Sequence, residues 1–125
     1  MSREEKLLKL IEERLNKDEV IIYYVEGAFE TTVNGRKNTM TGLLAATNER
    51  IRFCGKRFFL VYDDVIEYRD IEDIEIHEEK LGYKIFISGK ERSYFMNFVV
   101  SKDVHNFVDS IKKNILDIKR LHDKD

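Results

Sequence analysis

The segment 42–55 constrains the fold more than any other stretch, because two apolar runs there flank the turn formers Thr47-Asn48-Glu49. Asn tolerates a positive φ, and the side chains of Thr and Asn can hydrogen-bond the local backbone, so these residues predict a tight turn. Polar and apolar side chains then alternate over residues 50–54, which is typical of a strand with one buried face. The segment therefore predicts an antiparallel hairpin at the centre of a small barrel or sandwich.

Strand and turn signals recur at short intervals through the middle of the chain. Asn34-Gly35 is a strong signal for a two-residue hairpin turn of type I′. Gly27, inside an apolar run, predicts a bulge or a bend. The Asp63-Asp64 pair is interpreted as an interruption between two short strands. The predicted strands are 20–33, 39–47, 50–54, 58–62 with 65–68, 74–79, 83–88 and 92–100. This regular spacing predicts about seven strands in an all-β sandwich or barrel.

A short amphipathic helix is predicted at the start of the chain. Ser2 and Glu5 have the spacing of a capping box, in which each side chain bonds the other residue's backbone N–H. The apolar stripe of this helix consists of Leu7, Leu8, Ile11 and Leu15. Its acidic and basic residues balance in number, and it has no aromatic residue. We therefore expect it to pack against protein, either its own domain or a second subunit, rather than against a membrane.

A second helix is predicted after the last strand, where Ser101 is a candidate N-cap. Its apolar stripe is wide and consists of Val104, Phe107, Val108, Ile111, Ile115 and Ile118. We expect a helix with this stripe to cover an open end of the barrel. The predicted organisation is a helical segment 1–17, a domain 18–120 and a frayed tail 121–125.

Composition limits the classes of function and the cellular location. The 125 residues carry a net charge of −2, which argues against a general nucleic-acid binder, so no nucleic-acid partner is expected. Cys54 is the only cysteine, so the chain cannot form an intrachain disulfide. The sequence has no signal-peptide pattern and no long apolar run. Together these features predict a cytoplasmic protein, with the inner face of the membrane as an alternative place.

Two short patterns resemble a known family. Residues 44–53, Leu-Ala-Ala-Thr-Asn-Glu-Arg-Ile-Arg-Phe, resemble the L-x-x-T-x-x-R-(I/L)-x-F strand–turn–strand of bacterial pleckstrin-homology (PH)-like domains of the YokE type. Residues 68–74 resemble the (Y/F)-x-x-I-x-x-I segment that follows strand four in those domains. The resemblance covers about residues 20–118. It implies a mainly β fold, α+β by content: a bent seven-stranded sandwich or barrel capped by a C-terminal helix. The N-terminal helix is an addition to that common core.

The resemblance raises the question of anion binding, because eukaryotic PH domains are known for recognising phosphoinositides. Arg36 and Lys37 lie in the first predicted hairpin loop. Lys56 and Arg57 lie in a later predicted turn that could be at the same open end. Four cations over two loops could attract an anionic lipid headgroup. The alternative is that they are solvated residues at hairpin tips.

Signals for other chemistry are weaker. Glu75, His77 and Glu79 would share one face of a strand and could hold an adventitious metal, although an exposed strand face is the preferred interpretation. Phe58 and Phe59 beside two cations could stack on RNA bases, but core packing is the preferred interpretation. The sequence has no Gly-rich phosphate loop after a strand and no converging acid pair. It therefore predicts no enzyme, no cofactor and no metal.

The leading functional hypothesis is a non-enzymatic binding or assembly module. The predicted strand 92–100 is apolar on both faces, and the first helix has an apolar stripe to spare. Both features predict a protein partner or self-association. The alternative is a peripheral membrane domain that binds anionic lipid headgroups through Arg36, Lys37, Lys56 and Arg57.

Overall fold

A computed structural model describes residues 2–33 and 35–123 of the chain. Seven strands are preceded by one helix and followed by another. In chain order the elements are α1 (Arg3–Glu12), β1 (Ile21–Val33), β2 (Arg36–Thr47), β3 (Arg50–Arg57), β4 (Leu60–Glu67), a 3₁₀ turn (Tyr68–Asp70), β5 (Ile71–Glu79), β6 (Gly82–Gly89), β7 (Ser93–Val99) and α2 (Val104–Asp123). Within the described ranges, no helix is both long and apolar enough to span a bilayer.

The strands form one antiparallel sheet in the order β4-β3-β2-β1-β7-β6-β5. The first four strands make one meander and the last three make another. The two meanders join where β1 pairs with β7, with Ala28 opposite Asn97. This arrangement confirms the predicted seven-stranded, mainly β architecture with a helix at each end.

The main core lies between the inner faces of the two meanders and α2. Phe29 and Phe53 stack there with ring centroids 4.1 Å apart. The stripe predicted for α2 closes this core, with Phe107 and Ile111 fully buried. The helix begins at Val104. The Ser101 hydroxyl accepts a hydrogen bond from the N–H of Asp103 at 3.3 Å, so it belongs to the turn before the helix and not to its first turn.

A second, smaller core lies on the outer face of the first meander, beneath α1. Leu7 and Ile11 are 2% and 1% exposed, and they pack against Leu43, Ala45 and Cys54. The expectation that α1 has a spare apolar stripe is therefore wrong, because this sheet is apolar on both faces and α1 covers the outer one. The helix starts as predicted, since the Ser2 hydroxyl accepts from the N–H of Glu5 at 3.1 Å.

The predicted interruption at Asp63-Asp64 is also wrong, since β4 runs continuously through both residues. Each aspartate has a cationic partner that makes it tolerable in a strand. Asp63 Oδ2 lies 2.8 Å from Nε of Arg14, in the turn that follows α1, and Asp64 Oδ1 lies 3.5 Å from Arg92 Nη2. The first of these pairs also ties the turn after α1 to the sheet.

Gly27 does not form the predicted bulge; it stands in regular register opposite Gly42. A Cβ at residue 27 would lie 2.7 Å from the carbonyl oxygen of Asn97, so the glycine permits the close approach of β7. The irregularity falls earlier, between Ile21 and Tyr23. Strict strand alternation would place these two side chains on one face, but they pack into the smaller and the main core respectively.

Two sequence predictions concern residues at the limits of the description. Asn34 lies outside the described residues, and Gly35 has a φ of +76°, which is the left-handed conformation expected of that turn. The helix α2 continues to Asp123, and residues 124 and 125 lie outside the description. The division at residues 17 and 120 stays a prediction.

Candidate functional site

The turn at the start of β3 is held by hydrogen bonds of its own side chains. The Thr47 hydroxyl accepts from the N–H groups of Glu49 and Arg50 at 3.1 and 3.0 Å, as the sequence predicted. The Asn48 amide reaches outside the turn, accepting from the N–H of Val20 at 2.7 Å and donating to the carbonyl of Asp18 at 3.1 Å. Asn48 does not take the positive φ that was expected. Its side chain anchors the turn to the segment before β1 instead.

A buried carboxylate, Glu19, lies against this turn. It accepts hydrogen bonds from Arg52 Nε and Nη2 at 2.8 and 2.6 Å, from the Thr47 hydroxyl at 2.7 Å and from the Asn16 N–H at 3.0 Å. Burial raises the pKa of Glu19, but the hydrogen bonds from Arg52, Asn16 and Thr47, with the charge of Arg52, lower it to about 2. Four donors occupy its oxygens, so this is a structural ion pair. No local pattern in the sequence predicts it, since an isolated Glu before a strand belongs to no motif.

Arg50 completes the polar turn. Its Nη1 lies 3.4 Å from Glu67 Oε1 on β4, and its Nη2 lies 3.4 Å from Glu49 Oε1. The charged groups of this turn thus have partners within the protein. The turn is therefore architectural.

The turn at the other end of β3 has the opposite character. Arg57 pairs with Leu60, so Phe58 and Phe59 form a two-residue connection between β3 and β4. Their side chains are 88% and 99% exposed, and Leu60 is 74% exposed. The interpretation of Phe58 and Phe59 as core residues is wrong, because β3 continues to Arg57 and places the apolar run at the hairpin tip.

Phe58 has a backbone conformation that a bulky residue rarely adopts. Its φ is +56°, and a left-handed conformation costs a residue with a Cβ about 1–2 kcal/mol. Two-residue hairpin turns favour Gly, Asn or Asp for this reason. The fold gains no buried surface in return, since the Phe58 side chain is almost fully exposed. Exposed apolar side chains in a strained turn are a sign of a binding surface.

A groove of about 410 Å³ runs between this turn and α1. Apolar side chains of Leu7, Leu10 and Phe58 line part of it. The charged side chains along it are Arg3, Lys6, Lys9, Lys56 and Glu13. Four cations against one carboxylate make the surroundings of the Phe58–Phe59 turn electropositive.

The four cations predicted as an anion site lie at the same end of the sheet, on two adjoining hairpins. Lys56 lines the groove, whereas Arg57 Nη2 donates to the carbonyl of Thr39 at 3.4 Å. Arg36 and Lys37 are exposed near the tip of the β1–β2 hairpin. From the strand alternation, Lys37 and Lys56 lie on the outer face and Arg36 and Arg57 on the inner face. The structure therefore divides the four residues between two faces.

A second exposed apolar patch lies on the other meander. It consists of Leu81 in the β5–β6 turn, Phe98 at the end of β7 and Val100 beyond it. Phe98 has a φ of +57° and lies where the β6–β7 register shifts. Elsewhere on the outer face of β7, Phe95 is half-buried and stacks on Phe86 with ring centroids 4.7 Å apart. Of the apolar surface expected on both faces of residues 92–100, the mostly exposed part thus lies at the strand's end.

The candidate metal ligands do not form a cluster. His77 Nε2 lies 3.2 Å from Glu75 Oε2 on the exposed face of β5. In the part of the chain that the structure describes, no group of three or more His, Cys, Asp or Glu side chains is placed to hold an ion.

Comparisons with known proteins agree on the fold. The sequence model of the family described as Bacterial PH domain matches residues 15–113, so α1 lies outside the matched segment. No curated protein matches the chain significantly.

Three solved structures have a similar fold. The N-terminal PH domain of Vps36 is 15% identical with a TM-score of 0.64, and the match covers 85% of this chain and 86% of that one. The C-terminal domain of an unknown protein from Leishmania infantum is 16% identical with a TM-score of 0.57, covering 90% and 93%. A DUF1696 family protein with a pleckstrin-homology domain from Shewanella loihica PV-4 is 12% identical with a TM-score of 0.53, covering 93% and 92%. At these identities the similarity shows the fold alone.

Proposed function

Because this chain belongs to the bacterial PH domain family, we propose that it is a non-catalytic binding module, and that it attaches to anionic membrane surfaces through the Phe58–Phe59 turn. PH domains are commonly binding modules for proteins or lipids. The choice of a membrane rests on one observation. Two phenylalanine side chains stand almost fully exposed at a strained hairpin tip with cations around its base.

The expected free energies of binding favour a surface that offers both hydrocarbon and negative charge. Full burial of a phenylalanine side chain contributes about 1.5–3 kcal/mol, so two such side chains give only weak attachment once the cost of association is met. Each Lys or Arg near an anionic leaflet adds about 1 kcal/mol. The cations beside the turn supply this second contribution. Both together support reversible attachment to a membrane.

The proposed location follows from the proposed ligand. The cytoplasmic leaflet of a membrane carries the anionic lipids that attract basic surfaces. Cys54, the chain's single cysteine, is buried and free, which suits a reducing compartment. We therefore place the domain in the cytoplasm, at the inner face of the membrane.

Sedimentation with vesicles tests the proposal. Wild type is compared with the double variant Phe58→Ser, Phe59→Ser on vesicles of phosphatidylcholine mixed with phosphatidylglycerol. We expect the double variant to lose at least about tenfold in binding, because the apolar contribution of both rings is removed. Phe98→Ser is the matched control, since Phe98 is also exposed and also has a positive φ. No binding by the wild type at low salt, or equal binding by the double variant, would contradict the proposal.

A second candidate function is self-association through the patch formed by Leu81, Phe98 and Val100. The observation in its favour is that these three large apolar side chains, all mostly exposed, line two adjoining shallow depressions around Phe98. Such a patch could bury itself against the same patch of a second copy. Light scattering over a range of concentrations should then show a dimer that Phe98→Ser weakens. A strict monomer at high concentration would exclude this candidate.

A further inference from the structure

The helix α1 separates its charges by side, although they balance in number. With Leu7 and Ile11 turned to the sheet, helical geometry places Arg3, Lys6 and Lys9 on one flank. The acids Glu4, Glu5 and Glu12 lie on the other flank. A hydrogen bond to Glu4 raises the pKa of the Tyr24 hydroxyl, which shows that this second flank faces β1. The basic flank faces the β3–β4 hairpin.

The basic groups that line the groove have no partner that neutralises them. Arg14, just beyond the helix, is not among them, and it is paired: its Nε donates to Asp63 Oδ2 at 2.8 Å and its Nη1 to the carbonyl of Leu10 at 2.9 Å. Among the described ion pairs, none includes Arg3, Lys6, Lys9 or Lys56. The groove thus has four available cations, against the one carboxylate of Glu13, beside an apolar wall.

We propose that this groove holds the headgroup of an anionic membrane phospholipid. The phosphate would lie among Arg3, Lys6, Lys9 and Lys56, and the first carbons of the lipid would contact Leu10 and Phe58. The volume of about 410 Å³ lies within the range of roughly 300–1,000 Å³ that is usual for small-molecule sites. This inference rests on the proposed function, since it names the lipid class that the Phe58–Phe59 turn meets.

The order of groups along the hairpin favours a lipid in a membrane over a free anion. Lys56 precedes Phe58 by two residues, which is about 7 Å along a strand. Aromatic side chains at the tip and cations at its base match the order of hydrocarbon and phosphate in a leaflet. A free phosphate would satisfy the cations but leave Leu10 and Phe58 against water. The site also differs from the basic hairpin loops, because three of its four cations lie on α1, outside the segment matched to the family.

The test compares two variants with equal changes of net charge. One is Lys6→Gln, Lys9→Gln, Lys56→Gln in the groove. The other is Lys112→Gln, Lys113→Gln, Lys119→Gln on exposed positions of α2. On vesicles containing phosphatidylglycerol, we expect the groove variant to lose at least about tenfold in binding, and the α2 variant less than about threefold. All six side chains are exposed, so thermal unfolding should be unchanged in both.

The possible results separate this inference from the proposed function. Equal losses in both variants would overturn the groove site, because they would show that the cations act only through the net charge of the protein. Attachment through the Phe58–Phe59 turn would remain intact. Absence of wild-type binding to any vesicle would overturn both. Titration with inorganic phosphate and with soluble glycerophosphate gives a third arm. Saturable binding of these anions at concentrations where vesicles do not bind would identify a free-anion site and overturn the assignment to a membrane lipid.

Discussion

The two ends of β3 carry turns of opposite chemistry. At its start, the Thr47–Arg50 turn is polar and buried in hydrogen bonds, with the Glu19 carboxylate at its centre. At its end, the Phe58–Phe59 turn is apolar, exposed and strained. The side chains of the Thr47–Arg50 turn make contacts within the fold, whereas those of the Phe58–Phe59 turn point into solvent. The residues that stabilise the fold and the residues that we propose for binding are therefore separate, even though a single eight-residue strand joins the two turns.

The largest expected effect comes from breaking the polar turn. Arg52→Leu leaves the buried Glu19 carboxylate without its main partner, and removing one member of a buried ion pair costs about 3–5 kcal/mol. Urea unfolding measures this loss, and the exposed change Arg57→Leu serves as the control. A loss below about 1 kcal/mol would show that the ion pair does not hold the turn.

The next effect tests whether α1 belongs to the same stable unit. Leu7→Ala removes a fully buried side chain beneath α1 and should cost about 2–5 kcal/mol of unfolding free energy. Leu121→Ala on α2 changes the same residue type at an exposed position and should stay within about 0.5 kcal/mol. If both variants unfold like wild type, α1 is not docked on the sheet and the groove beside it does not exist.

The pH dependence of the unfolding free energy should reveal how much the polar turn contributes to stability. The pKa of Glu19 falls from 4.5 to about 2 on folding, so its contribution is complete above pH 4.5 and is lost as the pH falls toward 2. The shift corresponds to about 3 kcal/mol. The difference in unfolding free energy between wild type and Glu19→Gln, followed across this range, isolates the contribution from those of other carboxylates. A difference that does not change with pH would refute the ion-pair account.

The smallest effect separates stability from binding most sharply. Phe58→Gly removes the strain of a positive φ, so it should raise the unfolding free energy by about 1 kcal/mol while weakening attachment to anionic vesicles. Phe59→Gly should weaken attachment without the gain in stability, because Phe59 has no positive φ. Chemical unfolding and vesicle sedimentation on the same samples give both quantities. If Phe58→Gly lowered both the unfolding free energy and the attachment to vesicles, Phe58 would contribute to stability as well as to binding, which contradicts the prediction.

The sequence predicted the polar turn well and the apolar turn badly, for a physical reason. Thr47 and the alternation after it are local signals, and they also led to the family that the match to residues 15–113 shows. The Phe58–Phe59 turn contains no Gly, Asn or Asp, so its apolar residues were assigned to a strand and a core. Strand periodicity cannot reveal a turn whose apolar residues stay exposed to solvent.

Two further features depend on contacts between distant segments. Glu19 and Arg52 are 33 positions apart, and nothing in either neighbourhood marks them as partners. The separation of charges on α1 was visible in principle, by projecting its residues around the helix axis. Counting acids against bases conceals that separation, and only the docked position of α1 shows which flank meets the hairpin.

A single tryptophan can report whether the Phe58–Phe59 turn enters a membrane surface, as we propose. The chain has no tryptophan, so Phe59→Trp introduces one selective reporter at the tip, and Phe98→Trp introduces a control at the other exposed patch. With phosphatidylglycerol vesicles, we predict a blue shift of the emission at position 59, together with quenching by brominated acyl chains, and no change at position 98. An unchanged spectrum at position 59 in a protein that sediments with vesicles, or equal shifts at both positions, would contradict the claim.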